Sequence, residues 1–301
     1  MTSLRPWLLA ARPRTLLLAV ASIGMGILLA VSTGRADVAV SALCLLTAVL
    51  LQILSNLAND YGDSLHGVDT AERVGPQRAV QGGLVSLAAM RRAVVVCSSL
   101  AVISGSALIA VALGPAKLLL SLVFVALGGA AVWAAIAYTA TANPYGYAGL
   151  GDLMVFLFFG WAAVLGSYYL QVKGLTWALL LPATASGLLA TAVLNVNNIR
   201  DLESDKKVGK NSLPVRLGPT WARMYHLSIL LGSALAAFAY VFVTYRSVWQ
   251  FLFVLALPLL VLNGVQVWRG RNPAALDPLL KQMSIAALVF TLLFGVGQIL
   301  A

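Results

Sequence analysis

Leu51-Gln52-Ile53-Leu54-Ser55-Asn56-Leu57-Ala58-Asn59-Asp60-Tyr61-Gly62-Asp63 starts as apolar chain and ends in carboxylates. It closes a charge-free window over 38–59. About 20 apolar residues, each rising about 1.5 Å in a helix, cross the ~30 Å hydrocarbon core of a bilayer. Eight further windows of twenty or more residues carry no charge: 15–34, 93–116, 118–151, 153–172, 174–199, 224–245, 247–268 and 282–301. The chain therefore reads as an all-α integral membrane protein, nine transmembrane helices in a single unit over 1–301. Its composition agrees, being 60% hydrophobic and 10% charged where soluble chains carry about 25% charged residues.

Several classes are excluded at once. The net charge of +10 has no soluble basic domain in which to bind nucleic acid. Cys44 and Cys97 both lie inside apolar windows, against a disulfide framework or a thiolate zinc site. The first window is too long for a cleavable signal-peptide core and reads as a retained helix.

Alternating the windows across a membrane places 16 Lys and Arg on one side and 4 on the other. The positive-inside rule then expects a cytoplasmic N-terminus and, after nine crossings, an external C-terminus. Nine of the ten acids share the basic side, Asp37 being the exception. That rule does not call for acids, so their bias points to a site facing the cytoplasm. The two long connections, 60–92 and 200–223, lie on the same side, and long loops in compact proteins are usually functional.

Two acidic stripes emerge. Asn56, Asn59, Asp60 and Asp63 follow i, i+3, i+4, i+7 and share one helical face. Asn197, Asn198, Asp201 and Asp205, where the sixth window ends, make a second stripe. Carboxylates placed near the bilayer are costly and mark function. Carboxylate and amide oxygens without His or Cys are hard ligands suited to Mg²⁺, which is commonly held by one or two carboxylates, waters and phosphate oxygens. Two such walls facing across a cleft would hold Mg²⁺ around a diphosphate, with Arg73, Arg78, Arg200, Lys206 and Lys210 as candidate phosphate contacts. Glu203 and Asp69 fall off the stripes, His66 and His226 read as interfacial side chains, and Asp277, beside Pro278, reads as plain surface.

At these residues the chain resembles the UbiA superfamily of intramembrane prenyltransferases. Asn59-Asp60-Tyr61-Gly62-Asp63 matches the first five positions of that superfamily's N-D-x-x-D-x-x-x-D motif, and Asp201-Leu202-Glu203-Ser204-Asp205 matches its D-x-x-x-D motif. The strings Pro144-Tyr145-Gly146-Tyr147, Gly149-Leu150-Gly151-Asp152 and Lys210-Asn211-Ser212-Leu213-Pro214-Val215-Arg216-Leu217-Gly218 are most similar to its 1,4-dihydroxy-2-naphthoate polyprenyltransferases. The chain departs from the pattern at Gly67, where the first motif has its third acid, and at Ala142 and Asn143, where many relatives carry a basic residue.

The resemblance implies a nine-helix bundle around a central cavity in a bacterial inner membrane. It implies Mg²⁺ as cofactor, a polyprenyl diphosphate and 1,4-dihydroxy-2-naphthoate as substrates, and no protein partner. Prenyl transfer with loss of diphosphate and carbon dioxide would yield demethylmenaquinone. On this reading Asp60 and Asp63 with Asn56 and Asn59 hold one Mg²⁺, and Asp201 and Asp205 with Asn197 or Asn198 hold another. Tyr138, Tyr145 and Tyr147 line an aromatic cavity for the allylic cation, and Asp152 orients or deprotonates the ring hydroxyl. Another aromatic acceptor, 4-hydroxybenzoate or homogentisate, is the alternative within the superfamily. From another class the rival is a secondary transporter, against which the acids gather at one interface rather than at the midplane.

Overall fold

The structure, a computed structural model, describes residues 4–67 and 78–301. A short α1 (Arg5–Ala11) meets α2 (Pro13–Val31) at Arg12, whose left-handed backbone (φ 48°) makes a sharp joint. Pro13, with its fixed φ, then starts α2. Next come α3 (Val38–Leu65), α4 (Leu87–Leu113), α5 (Pro115–Ala137), α6 (Gly151–Val172) and α7 (Trp177–Arg200). A short α8 (Leu202–Lys207) precedes α9 (Leu213–Val243), α10 (Val248–Arg269) and α11 (Pro273–Ile299). Among the described residues nine of these, all but α1 and α8, are long and apolar enough to cross a bilayer, matching the nine charge-free windows.

Side-chain caps fix several of the helix starts. Asp37 accepts from the Val40 amide at 2.9 Å, so the one acid on the sparsely charged side is there to start α3. Ser86 caps α4 and Asn272 caps α11 in the same way. The helices outrun their charge-free windows at the acidic end. The start of α4 carries Arg91 and Arg92, α9 carries Arg216 and Arg223, and α11 carries Asp277 and Lys281. A helix need not end where the hydrocarbon does; its charged turns continue into the headgroup layer. Much of the long 200–223 connection is accordingly helical.

The helices form a ring that closes where α11 lies against α2. The most enclosed is α7, which packs on α6, α9, α11 and α2. Its own Leu189 and, around it, Met25, Phe253, Phe290 and Phe294 are fully buried. A π-helical turn over Phe156–Ala162 interrupts α6, a device often found beside functional sites. By contrast α5 exposes Leu118, Leu119, Leu122 and Val123, the apolar outward face that lipid requires.

Candidate active site

The last turns of α3 deliver the first stripe. Asp60 and Asp63 are almost fully buried, at 1% and 0% exposure. Asp60 Oδ2 accepts from the Ala79 amide at 3.2 Å, while its Oδ1 receives no hydrogen bond. Asp63 Oδ1 accepts from the Tyr147 hydroxyl at 2.9 Å, and its Oδ2 meets the Arg78 guanidinium. Arg78 also donates to the carbonyl and Oδ1 of Asn59, at 3.0 and 3.2 Å. Asn56, expected among the metal ligands, is committed elsewhere. Its Nδ2 donates to the Ala11 carbonyl at 2.8 Å and to Thr15 Oγ1 at 2.9 Å, and its Oδ1 accepts from Gln52. It braces the α1–α2 joint, because those partners already occupy both ends of its amide.

Gly62 explains a letter of the motif that acid counting passes over. A Cβ there would lie 2.5 Å from the Thr139 carbonyl carbon, inside backbone that cannot rotate away. Thr139 Oγ1 in turn donates to the Ala58 carbonyl at 3.2 Å, so the loop after α5 lies directly on α3. Gly62→Ala should push that loop outward, pull Tyr147 from Asp63 and cost about 1–3 kcal/mol of stability, the usual range for overpacking. A melting curve with a product assay checks it, and a variant as stable and active as the parent would overturn the close approach.

The second stripe is more constrained than expected. Asp205 Oδ1 lies 3.3 Å from Lys210 Nζ, and its Oδ2 receives no hydrogen bond. Asp201 is held by both arms of Arg200, Nε and Nη2 each at 2.7 Å. Its Nη1 reaches Asp277 Oδ1 at 2.5 Å, and Nη2 donates also to Asn197 Oδ1 at 2.9 Å. Arg200, expected to contact diphosphate, is therefore a buried tether whose donor edges are taken. Lys206 is exposed on α8 and joins none of these contacts. Asn198 is buried with its Oδ1 unbonded, whereas Asn197 lines the cavity. Arg73 lies outside the described residues, as do Asp69 and Glu72.

The two stripes converge on Lys210. Its ammonium sits 5.9 Å from the centroid of the Tyr147 ring and feels the carboxylates of Asp205, Asp63 and Asp201. Burial opposes its charge, yet the surrounding acids outweigh it and raise the lysine above its ordinary pKa. Burial pushes the Asp205 carboxyl up, Lys210 pulls it down, and Asp201 and Asp63 push it up again. Crowded carboxylates with unbonded buried oxygens form a site short of positive charge. The unbonded oxygens of Asp60, Asp205 and Asn198 are all hard donors, which suit Mg²⁺ or Ca²⁺. Among the described residues no group of three or more His, Cys, Asp or Glu is placed to hold a metal ion. A cation here would depend on ligands from its substrate, as Mg²⁺ bound with phosphates does.

Beside the stripes opens a cavity of roughly 500 Å³. Its polar end presents Arg12, Thr15, Asn59, Arg78, Asn197 and Lys210, and its far end is apolar, reaching Cys44, Leu108, Phe124 and Leu170. From Asn59 to Cys44 along α3 is about 22 Å at a helical rise. Tyr138 and Tyr145 line the passage, edge to face at 5.5 Å. Tyr145 donates to the Ala134 carbonyl at 2.8 Å, and burial lifts Tyr138 to about 12. Tyr147 is bound to Asp63 instead, with burial and that carboxylate raising its hydroxyl further. Asp152, at the start of α6, is buried beside Tyr225 and keeps Oδ1 unbonded.

Arg12, Thr15, Tyr225 and Asp277 are members of this region that spacing did not single out. Thr15 and Gln52, polar residues within apolar windows, were the available signal for the α1–α2 corner.

Residues 17–292 match the UbiA prenyltransferase family. The chain is 49% identical to a 1,4-dihydroxy-2-naphthoate octaprenyltransferase of Escherichia coli, over 98% of this chain and 95% of the relative. Among solved structures it is similar to a UbiA homolog from Aeropyrum pernix K1 (TM-score 0.69, 18% identity, 94% of this chain and 97% of that one). It is also similar to a UbiA homolog from Archaeoglobus fulgidus bound to GPP and Mg²⁺ (TM-score 0.65, 18% identity, 98% and 100%).

Proposed function

Because the chain belongs to the UbiA prenyltransferase family, we propose that it transfers a long-chain isoprenyl group from its diphosphate to 1,4-dihydroxy-2-naphthoate. Diphosphate and carbon dioxide leave, and the product is demethylmenaquinone, formed as the quinol. The observation that carries the reading is the meeting of Asp63 and Asp205 around Lys210 at the polar mouth of an apolar cavity. A diphosphate belongs with the cations of such a mouth, and an isoprenoid tail with its greasy interior. The naphthoate acceptor rests on the near-full-length likeness to the E. coli enzyme. The transporter reading is not favoured, since the acids of the two stripes stay at one end of the bundle.

Asp60, Asp63 and Asn59 would hold one divalent ion, and Asp205, Asp201 and Asn198 the other. Bound Mg²⁺ supplies Lewis-acid relief of the charge on the departing diphosphate. Arg78 and Lys210 present guanidinium and ammonium donors to the phosphate oxygens. Tyr138 and Tyr145 face the developing allylic cation with their rings and help shut out water. Asp152, beside Tyr225, orients the ring hydroxyl and takes its proton while the ring carbon attacks. The new bond forms at the carbon bearing the carboxylate; the carboxylate leaves as carbon dioxide, the electron pair of that broken bond restores the aromatic ring, and the ring oxygen takes its proton back from Asp152 to give the quinol.

The excess of lysine and arginine at the acidic end supports a cytoplasmic site, with the N-terminus inside and the C-terminus outside. We take residues 1–301 as one catalytic unit in a bacterial inner membrane.

The test offers the purified protein one prenyl diphosphate with dihydroxynaphthoate, 4-hydroxybenzoate and homogentisate together. Mass spectrometry should find the prenylated, decarboxylated naphthalene product alone. A prenylated benzoate as the main product would overturn the acceptor.

A further inference from the structure

We propose that Asp277 is a positioning residue for the second acidic stripe, acting through Arg200. The inference rests on the reading of that stripe as a cation and diphosphate site. From sequence Asp277 is a surface acid beside a proline. In the fold it lies in the second turn of α11, where its carboxylate takes two arginines from two other helices. Arg200 Nη1, at the end of α7, approaches Oδ1 at 2.5 Å. Arg14 Nη1, at the start of α2, lies 3.2 Å from both oxygens.

Arg200 is 1% exposed and holds the two oxygens of Asp201 in a fork. A fork sets the plane shared by the two groups, but the pair can still swing together. Asn197 also holds the guanidinium, but from α7 itself; the bond to Asp277, on a separate helix, ties the pair across the bundle and fixes where Asp201 presents its carboxylate. Charge points the same way. Arg14, Arg200, Asp201 and Asp277 sum to zero as a row. Without the Asp277 charge the row carries +1 directly against the stripe that must attract a divalent cation. The Arg200 guanidinium would then be shared with one carboxylate only, drawing further on Asp201.

The test measures Mn²⁺ binding by electron paramagnetic resonance, with inorganic pyrophosphate present, on the full chain in detergent. Asp277→Asn should weaken binding about tenfold, the range for loss of an outer partner of a metal ligand. In turnover its half-saturating Mg²⁺ should rise by a similar factor, with kcat at saturating Mg²⁺ close to the parent's. Asp277→Glu, which keeps the charge, should recover most of the affinity. Parent protein that fails to bind Mn²⁺ with pyrophosphate would overturn the site itself. Parent binding with equal affinity in Asp277→Asn would overturn only the role of Asp277, as would an equal loss in Asp277→Glu. If Asp277→Asn does not purify, Asp277→Ser takes its place in the same measurement: a tenfold loss supports the role, and parental affinity ends it.

Discussion

Asp60→Asn is expected to insert, purify and melt close to the parent while prenyl transfer falls by about 10²–10³-fold, the usual cost of removing one preorganised charge-stabilising group. Asp60 is the cleanest of the four acids to change because its carboxylate has so little structural work. One oxygen accepts a single backbone amide, from Ala79, and the other accepts nothing. An asparagine keeps the shape and can keep that bond through its carbonyl oxygen, so the loss is charge at the proposed cation site. The other three acids mix two effects. Asp63→Asn would strip Arg78 of its buried partner, and Asp201→Asn would leave Arg200 buried with less of its charge met. Breaking one side of a buried pair costs about 3–5 kcal/mol, and Asp205→Asn does the same to Lys210. Activity in those variants would fall for reasons of folding as well as chemistry. The measurement is product formation beside a thermal melt in the same detergent. Full activity in Asp60→Asn, at unchanged saturation by Mg²⁺, would remove the first stripe from the mechanism.

The spans and the two stripes were legible because each obeys a simple period. Apolar runs announce crossings, and i, i+3, i+4, i+7 announces a face. The roles within the stripes were less legible, because spacing shows which residues share a face and not what stands opposite. Asn56 shares the face of Asp60 but meets Ala11 and Thr15 across it, so it became a brace. Arg200 sits among the acids, and that proximity suggested a phosphate ligand; burial made it the tether of Asp201. Asp277 looked ordinary because its partners are 77 and 263 residues away in sequence. Tyr147 and Lys210 were singled out for an aromatic cavity and for diphosphate, and in the fold they stand against Asp63 and Asp205. What spacing could not show is that they link the stripes, since that depends on the loop after α5 lying down on Gly62.

Chelation by EDTA is expected to reduce turnover to background, and added Mg²⁺ to restore it. The site favours this outcome on electrostatic grounds. Asp60, Asp63, Asp201 and Asp205 gather four carboxylates behind the Arg78 and Lys210 that line the cavity's polar end, and a diphosphate brings more negative charge. Arg78 and Lys210 face the acids, while Arg200 is spent on Asp201 and Asp277. Two or three cations cannot offset four carboxylates and a diphosphate together in a buried place. Without divalent ions the substrate headgroup should be repelled, so its KM should rise steeply as metal is removed. The same accounting predicts a linked stability effect that needs no turnover. Mg²⁺ with inorganic pyrophosphate should raise the melting temperature more than the sum of each alone, because each supplies the charge the other lacks. A ligand at 100 times its Kd stabilises the folded state by about 2.7 kcal/mol, which a melt resolves easily. In Asp60→Asn that joint shift should shrink. Turnover that persists in EDTA, or a joint shift equal to the sum of the separate ones, would mean that the carboxylates serve the fold and not the leaving group.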